Sequence, residues 1–419
     1  MKDTTFELDI EDIARDGSGL GHYKRRPVYV PYTLPGERVL ARPTEEREHA
    51  LIAEGVKLLD ASADRVYPAC AHFGPGRCGH CRWQHIAYPV QPLLKQDILA
   101  EQLSRVGKLS DAQIDAALRP IIPSPQEWGF NYHLTFAVSS DPEPKLGMFG
   151  TDGRSVVPIT ECYTLHPDLF DLYESLDIEL KGIRRIKFQI GTDGERMLIL
   201  TMLEDDAPEL ETDLHASVNL ILPDNEPMNL IGDSHSRYTI NGRVFRVTAG
   251  AYFRPNVPAL PAFVSAVEAL LDLKPDEDAL DLFAGVGVFS AFAAPRARRV
   301  TLVESYPPAV TDADENLSDF ENLDVIEGGV DDVLDSLEER YDAAIIDPPA
   351  RGGLSDDALA MLAELGVGRI ALISEDAGTL AKDVRRFARQ GYTLAAAQPF
   401  DLAPHTPAVD TVALFRKAG

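Results

Sequence analysis

Residues 278–290, reading DALDLFAGVGVFS, place an acid and two glycines where an apolar run gives way to a helical pattern. Ala279, Leu280, Leu282 and Phe283 read as a buried strand, Ala284-Gly285-Val286-Gly287 breaks it, and Phe289 opens a helix. A nucleotide-type ligand needs this succession, because glycine lets the backbone come close and the helix N-terminus frames a pocket. A glycine turn alone is weak evidence, since α/β proteins also use one for packing. Here Glu304 ends the next apolar run, VTLVES, where an acid accepts hydrogen bonds from a ribose diol. Asp347 then closes YDAAIID and is followed by two prolines. A dinucleotide site would want G-x-G-x-x-G, but the third position after Gly287 is Ser290. A D-x-F-x-G-x-G turn, an acid after the second strand and an acidic D-P-P corner after the fourth describe an S-adenosylmethionine (SAM) pocket instead, residue by residue.

A second group of residues has ligand chemistry. The four cysteines comprise Cys70, Cys78 and Cys81 in the loop PACAHFGPGRCGHCRWQH, and Cys162 in ITECYTLHP. In a cytosolic protein, a C-x-x-C pair in a Gly/Pro loop favours a metal over disulfides. Four thiolates suit tetrahedral zinc or an iron–sulfur cluster. Spacing does not choose between them, and His72, His80 or His85 could replace a thiolate at a zinc. The bland alternative is a set of small buried side chains.

At 419 residues the protein exceeds one ordinary core, so two or three domains are expected. No run of about 18 apolar residues occurs, so no membrane span is expected. The opening MKDTTFELDIED lacks the basic-then-apolar order of a signal peptide, and a cytoplasmic location is expected. The net charge of −27, from 67 acidic and 40 basic residues, argues against a generic nucleic-acid coat but leaves room for a local basic patch. Lys24-Arg25-Arg26, Arg184-Arg185 and residues 296–299 are candidates, although solvated surface is the simpler reading of any one of them.

The elements that position these groups follow in order. Residues 1–60 alternate in short β-like runs punctuated by Gly17, Gly19, Gly21 and Pro35-Gly36, which predicts an antiparallel barrel of about five strands. Residues 90–118 read as helical, with Leu93, Leu94, Ile98, Leu103 and Val106 on one face. A β-rich central domain with helices at 167–176 and 209–216 runs to about Tyr238, and residues 246–419 form a doubly wound domain. The expected fold class is α/β, divided as 1–60, 61–245 and 246–419.

The phrases DGSGLGHYKRRPVYVPYTLPGERV, PACAHFGPGRCGHCRWQH, GAYFRPN, DLFAGVGVFS, VESYPPAV, DPPARGG, LISEDAGTLAKD and DLAPHTPAVDTV together resemble the SAM-dependent RNA 5-methyluridine methyltransferase family. The likeness is to its TRAM-containing, iron–sulfur branch and extends over essentially all of the sequence. It implies an OB-like, RNA-binding TRAM barrel, a β-rich central domain with the iron–sulfur loop, and a C-terminal Rossmann-like methyltransferase domain. It further implies a [4Fe–4S] cluster on Cys70, Cys78, Cys81 and Cys162, and SAM contacts from Arg254, Asp281, Phe283, Gly285, Gly287, Glu304 and Asp347. An rRNA or tRNA substrate and a monomer are expected.

In that family a cysteine thiolate adds to uracil C6, C5 attacks the SAM methyl, and a carboxylate removes the C5 proton. The loop that matches the nucleophile's S-C-N-P-x-T-L is Ser374-Glu375-Asp376-Ala377-Gly378-Thr379-Leu380, with Glu375 at the cysteine position. A carboxylate is a far poorer nucleophile towards a conjugated carbon, and it places negative charge where an enolate would form. Asp410 matches the general-base glutamate, Arg254 replaces the glutamine of F-F-Q-x-N, and Val288 replaces the asparagine after the glycine turn. Two readings result: an RNA methyltransferase of the uracil-C5 type with an altered catalytic loop, or a catalytically inactive paralogue that binds RNA and SAM. An RNA-binding iron–sulfur sensor is a third.

Overall fold

The computed structural model describes residues 5–205, 214–349 and 353–417. The helix expected at 209–216 lies mostly outside the described residues, as do positions 350–352 of the DPPARGG phrase.

The N-terminal strands are Phe6–Asp9, Asp12–Ile13, Gly19–Tyr23, Arg26–Val30, Arg38–Arg47 and Ala50–Asp60. Their inward positions, Leu8, Val28, Val30, Val39, Ala41, Leu51 and Ala53, form one small core. The sheet curls back on itself. Glu11 N donates to Leu20 O at 2.8 Å, and a Cβ on Gly21 would stand 2.2 Å from the Asp9 carbonyl oxygen. The barrel has six strands where five were expected, because the first run splits at Ile10.

A seven-stranded sheet follows, in the order Pro227–Ile231, Ser217–Ile221, Arg196–Met202, Ile183–Ile190, His133–Val138, Leu146–Phe149, Val156–Val157. Helix Pro167–Glu174 packs Leu169 and Leu172 on Phe136 and Phe188 of that sheet.

The C-terminal sheet comprises β1 (Asp278–Leu282), β2 (Arg299–Glu304), β3 (Leu323–Glu327), β4 (Ala343–Ile346), β5 (Arg369–Ser374), β6 (Tyr392–Phe400) and β7 (Asp410–Lys417). Its order is β3-β2-β1-β4-β5-β7-β6, and only β7 runs antiparallel to its neighbours. Strand order reverses between β1 and β4, and the crevice at their carboxyl ends is where such sheets bind ligands.

Two segments cross the expected boundaries. The hairpin His235–Ile240/Arg243–Thr248 places Tyr238, Ile240, Phe245 and Val247 in the core of the C-terminal sheet, so a boundary at 246 cuts through it. Trp83, Ile86, Ile98, Leu99 and Leu103 share a second core with Leu380, Val384, Phe387 and Phe415. The cysteine loop therefore leads straight into the packing of the C-terminal domain.

The helical reading of 90–118 resolves into helices Gln91–Arg105 and Asp111–Ala117, parted by Gly107 and by Lys108 at φ +62°. The buried face also differs from the apolar stripe. Leu93 is 59% exposed, while Gln91, Lys95 and Gln102 point inwards. Lys95 tolerates this because Asp401 and the carbonyl of Ala403 receive its ammonium group. A buried charge needs such partners.

Candidate active site

The glycine turn after β1 is left-handed at Phe283 (φ +58°), Gly285 (φ +56°) and Gly287 (φ +84°). Left-handed backbone at a non-glycine residue such as Phe283 is strained, a feature that clusters at ligand sites. A Cβ on Gly287 would sit 2.6 Å from Leu317 Cδ1, so that glycine is a packing requirement, whereas the space at Gly285 is open. Gly285 N donates to Glu304 Oε2 at 2.9 Å, and Glu304 Oε1 accepts from Ser305 N and Tyr306 N. Glu304 thus faces the glycine turn from the end of β2.

Asp281 is fully buried. Its Oδ2 accepts from the Ser290 hydroxyl at 2.7 Å, while Oδ1 has no hydrogen-bond partner among the described residues. Burial pushes its carboxyl up to about 7, and the nearby Asp347 and Glu304 add to the rise. An unpaired buried acceptor of this kind fits a ligand that brings a donor or a positive charge. Asp347 follows β4, and its backbone N donates to Leu282 O at 3.2 Å, which sets it beside the end of β1.

Arg254 joins the groups that the sequence left apart. Its Nη2 donates to Asp347 Oδ1 at 2.6 Å, and its Nη1 donates to Asp410 Oδ1 at 3.1 Å and Glu375 Oε1 at 3.2 Å. The Tyr252 hydroxyl donates to the same Glu375 oxygen at 2.8 Å, and the guanidinium lies 5.0 Å from the centre of the Phe263 ring. Arg254 is 7% exposed. Burial opposes its charge, but Asp347, Tyr252, Asp410 and Glu375 outweigh burial and raise its pKa, so it stays cationic. Three carboxylates competing for one buried cation are not all held down. Burial pushes Asp410 up to about 7 against the pull of Arg254, and burial raises Asp347 as well.

Behind Asp410 the connecting segment 401–409 is fastened by residues to which the sequence reading gave no role. His405, at φ +64°, accepts through its carbonyl from both Arg82 N and Trp83 N at 2.9 Å. Gln91 accepts from His405 N at 2.8 Å, and Trp128 stacks on the imidazole at 3.8 Å. Trp83 is fully buried and donates its indole N–H to Gly17 O at 3.0 Å, which ties in the barrel. The exposed Tyr252 and the buried polar residues Lys95 and Gln91 carry no periodicity signal. Only the quoted phrase containing His405 pointed towards this segment.

Cys70, Cys78, Cys81 and Cys162 line one cavity, together with Phe73, Met148, Ile159 and Gln84. They form no disulfide, and among the described residues no three His, Cys, Asp or Glu side chains are gathered so as to hold a single metal ion. Burial raises the thiols of Cys81, Cys78 and Cys70, the last to about 11. Four thiols on one cavity suit a group that brings positive charge. His72 is already engaged, since its Nε2 accepts from Thr160 N at 2.9 Å. His85 does not line the cavity and packs against Phe73 and Tyr32.

A cavity of about 520 Å3 lies between residues 79–82, residues 148–153, Glu375 and Asp376, and residues 406–409. A second, of about 860 Å3, lies between the barrel and the cysteine loop and shares Arg82 and Thr151 with the first. Together they make a path from the barrel to Glu375, on which Arg15, Arg42 and Arg65 are paired with Asp376, Glu54 and Glu37, while Arg82 has no carboxylate partner among the described residues. The basic turn at 24–26 does not line it, and Arg26 is paired with Glu46. The cluster at 296–299 is likewise structural, with Arg296 on Glu268 and Arg298 and Arg299 on Asp278.

Residues 6–63 match the TRAM domain of tRNA (uracil(54)-C(5))-methyltransferases, and residues 263–368 match the methyltransferase small domain. A Streptomyces avermitilis protein named "uncharacterized RNA methyltransferase" is 32% identical over 99% of this chain and 98% of its own length. The chain belongs to the RNA (uracil-C5) methyltransferase family. The family also includes the 23S rRNA (uracil(1939)-C(5))-methyltransferase RlmD of Vibrio parahaemolyticus, 28% identical over 98% of this chain and 96% of its own. The fold is that of the Pyrococcus abyssi tRNA (uracil-54, C5)-methyltransferase, whose structure contains S-adenosyl-L-homocysteine. The TM-score is 0.73, at 20% identity, with 98% and 99% of the two chains covered. By family the protein is a SAM-dependent RNA methyltransferase of the uracil-C5 type. Among the described residues no helix is long and apolar enough to cross a membrane.

Proposed function

We propose that this protein transfers a methyl group from SAM to rRNA or tRNA without an enzyme thiolate, acting as a cytoplasmic monomer. The observation that carries this reading is the contact of Arg254 with Glu375. The residue at the family's nucleophile position is ion-paired, not free, and the group that pairs it replaces the family's glutamine. SAM supplies an electrophilic methyl. Asp281, Phe283, Gly285, Gly287 and Glu304 would hold it, with Glu304 on the ribose hydroxyls and Asp347 on the side towards Arg254. Asp410 is the proton acceptor, placed by its ion pair with Arg254. RNA enters along the path from the barrel, past Arg82.

The test is to incubate the anaerobically purified protein with methyl-labelled SAM and total RNA from a strain lacking the gene. Label in RNA, lost in Asp410→Asn, is the expected result; RNA without label would favour the non-methylating paralogue.

The pH profile gives a further expected outcome. Asp410 must be ionised to take a proton, and burial lifts its carboxyl to about 7, so the rate should climb as pH rises through about 7. Asp281 titrates in the same range, so the limb belongs to both groups. A limb of the same position and height in Asp410→Asn would remove Asp410 from the role of base.

A [4Fe–4S] cluster on Cys70, Cys78, Cys81 and Cys162 belongs to the same proposal, supported by the one cavity that the four thiols line. Anaerobic purification should give a brown protein with broad absorption in the visible blue. A colourless protein carrying stoichiometric zinc would replace the cluster with a zinc site.

A further inference from the structure

Among the described residues, one cation on the path from the barrel to Glu375 is free. Arg82 lines both cavities and is exposed, and its guanidinium has no hydrogen-bond or ion-pair partner there. Its backbone N–H donates to His405 O at 2.9 Å, so the side chain stands on an anchored stretch. Asp16 is the acid of the path without an ion-pair partner among the described residues, and its Oδ1 already accepts from Ser18 N at 3.0 Å.

Two further groups flank Arg82. On the barrel side, Tyr32 is left-handed at φ +63°, and Arg65 Nη2 donates to its carbonyl at 2.8 Å. Strain of this kind at a non-glycine residue collects at ligand sites. Burial raises the pKa of the Tyr32 hydroxyl and Arg82 opposes the rise, which makes the two groups neighbours on the cavity of about 860 Å3. That hydroxyl has no hydrogen-bond partner among the described residues. On the other side, Phe149 ends strand Leu146–Phe149 and lines the cavity of about 520 Å3 with Glu375. It is 44% exposed, and its ring meets no other aromatic ring or cation among the described residues. Its carbonyl accepts from Gly79 N at 2.8 Å, which fastens it beside the loop that carries Arg82. A single exposed ring is ordinary on a protein surface. This one shares its cavity with both Glu375 and the free cation.

We propose that this cavity holds a second nucleotide of the RNA, adjoining the methylated one, with its base stacked on Phe149 and a phosphate on Arg82 and the Tyr32 hydroxyl. The inference rests on the methyl-transfer reading for the methylated base at Glu375, and it adds where the next nucleotide goes. A volume of about 520 Å3 lies within the range of ligand pockets. A phosphate diester brings negative charge and acceptor oxygens, which a guanidinium and a hydroxyl receive. Every base has a π-face, so an aromatic ring holds it without regard to sequence. Because Arg15, Arg42 and Arg65 are already paired, few phosphates are gripped, and stacking carries a large share of the affinity. The strand has to leave its stack over two neighbouring nucleotides, so the RNA is single-stranded at the methylated position and beside it.

The test is equilibrium binding of fluorescent oligouridylate to the full-length protein, with no methyl donor present, over a series of salt concentrations. The plot of log affinity against log salt should lose about 0.7 of its slope in Arg82→Ala, the amount for one phosphate of a single strand. Arg82→Lys should keep the slope. Tyr32→Phe should weaken binding with the slope kept, since a hydroxyl carries no charge. Phe149→Ala should weaken binding roughly 5- to 150-fold at every salt concentration, also without changing the slope, and Phe149→Tyr should restore it. Phe149 and Arg82 are exposed, so these variants keep the fold. Binding by Phe149→Ala equal to that of the unaltered protein, or an unchanged slope in Arg82→Ala, would overturn the inference. So would failure of the unaltered protein to bind the oligomer. None of these readings needs turnover, so methyl transfer stands or falls separately, by label in RNA.

Discussion

Arg254→Ala should cost about 3–5 kcal/mol of folding stability, the range for removing one partner of a buried ion pair. The arginine is nearly inaccessible and holds Asp347, Asp410 and Glu375 at 2.6, 3.1 and 3.2 Å. Without it these carboxylates repel one another at the sheet's carboxyl edge. The loss should also depend on pH with a definite sign. Asp410 already stands at about 7 in the folded protein, against about 3.9 for an unperturbed aspartate. A carboxyl raised in this way binds its proton more tightly when folded. Its contribution is therefore complete below about pH 4 and is lost as pH rises through about 7. The variant lacks the opposing cation, so its deficit in urea unfolding should be larger at pH 8 than at pH 5.5. Equal stability of the two proteins at both pH values would mean that the acids do not depend on Arg254.

The second large effect is all-or-none. The protein should form no covalent adduct with RNA containing 5-fluorouridine, because Glu375 is a carboxylate tied to Arg254 and Tyr252. Fluorine at C5 blocks the proton removal that releases a thiolate enzyme, so a cysteine-dependent relative remains attached and migrates as a larger species on a denaturing gel. The double variant Glu375→Cys/Arg254→Gln carries the residues that the family resemblance implies at both positions and should gain that band, since Asp410 remains beside them. An adduct in the unaltered protein would make Cys162 the nucleophile and place it outside the cysteine site. No adduct in the double variant would show that the uridine pocket is gone.

The cofactor crevice is legible in the sequence because its chemistry is local. Asp281, Gly285 and Gly287 lie within one strand and turn, and Glu304 and Asp347 fall at strand ends that apolar runs announce. The cysteines are legible as a group because thiols in a Gly/Pro loop lack a packing reason. Arg254 is different. In the sequence it stands as a departure from a family glutamine, and nothing in its neighbours ties it to residues 93, 121 and 156 positions away. Lys95 escapes for the converse reason, since periodicity treats a lysine as solvent-facing and its partner Asp401 comes 306 positions later. Leu93 then takes its place on the expected core face. The domain boundary at 246 fails similarly, because the hairpin His235–Ile240/Arg243–Thr248 is β-rich like the sheet before it while its buried side belongs to the sheet after it.

The anchorage of His405 sets a timetable for synthesis. Gln91 and His405 are separated by 314 positions, with Gln91 accepting from the His405 N–H, and the N–H groups of Arg82 and Trp83 both donate to the His405 carbonyl. While a ribosome is building the protein, the barrel and the central sheet can close with partners already made. The stretch from Trp83 through helix Gln91–Arg105 cannot, since its apolar partners include Leu380, Val384, Phe387 and Phe415. Cys70, Cys78 and Cys81 therefore emerge on a loop whose downstream anchor does not yet exist. Contacts of such sequence separation form late and slowly, so the stretch from Trp83 through helix Gln91–Arg105 stays without its anchor until the last strand is inserted between β5 and β6.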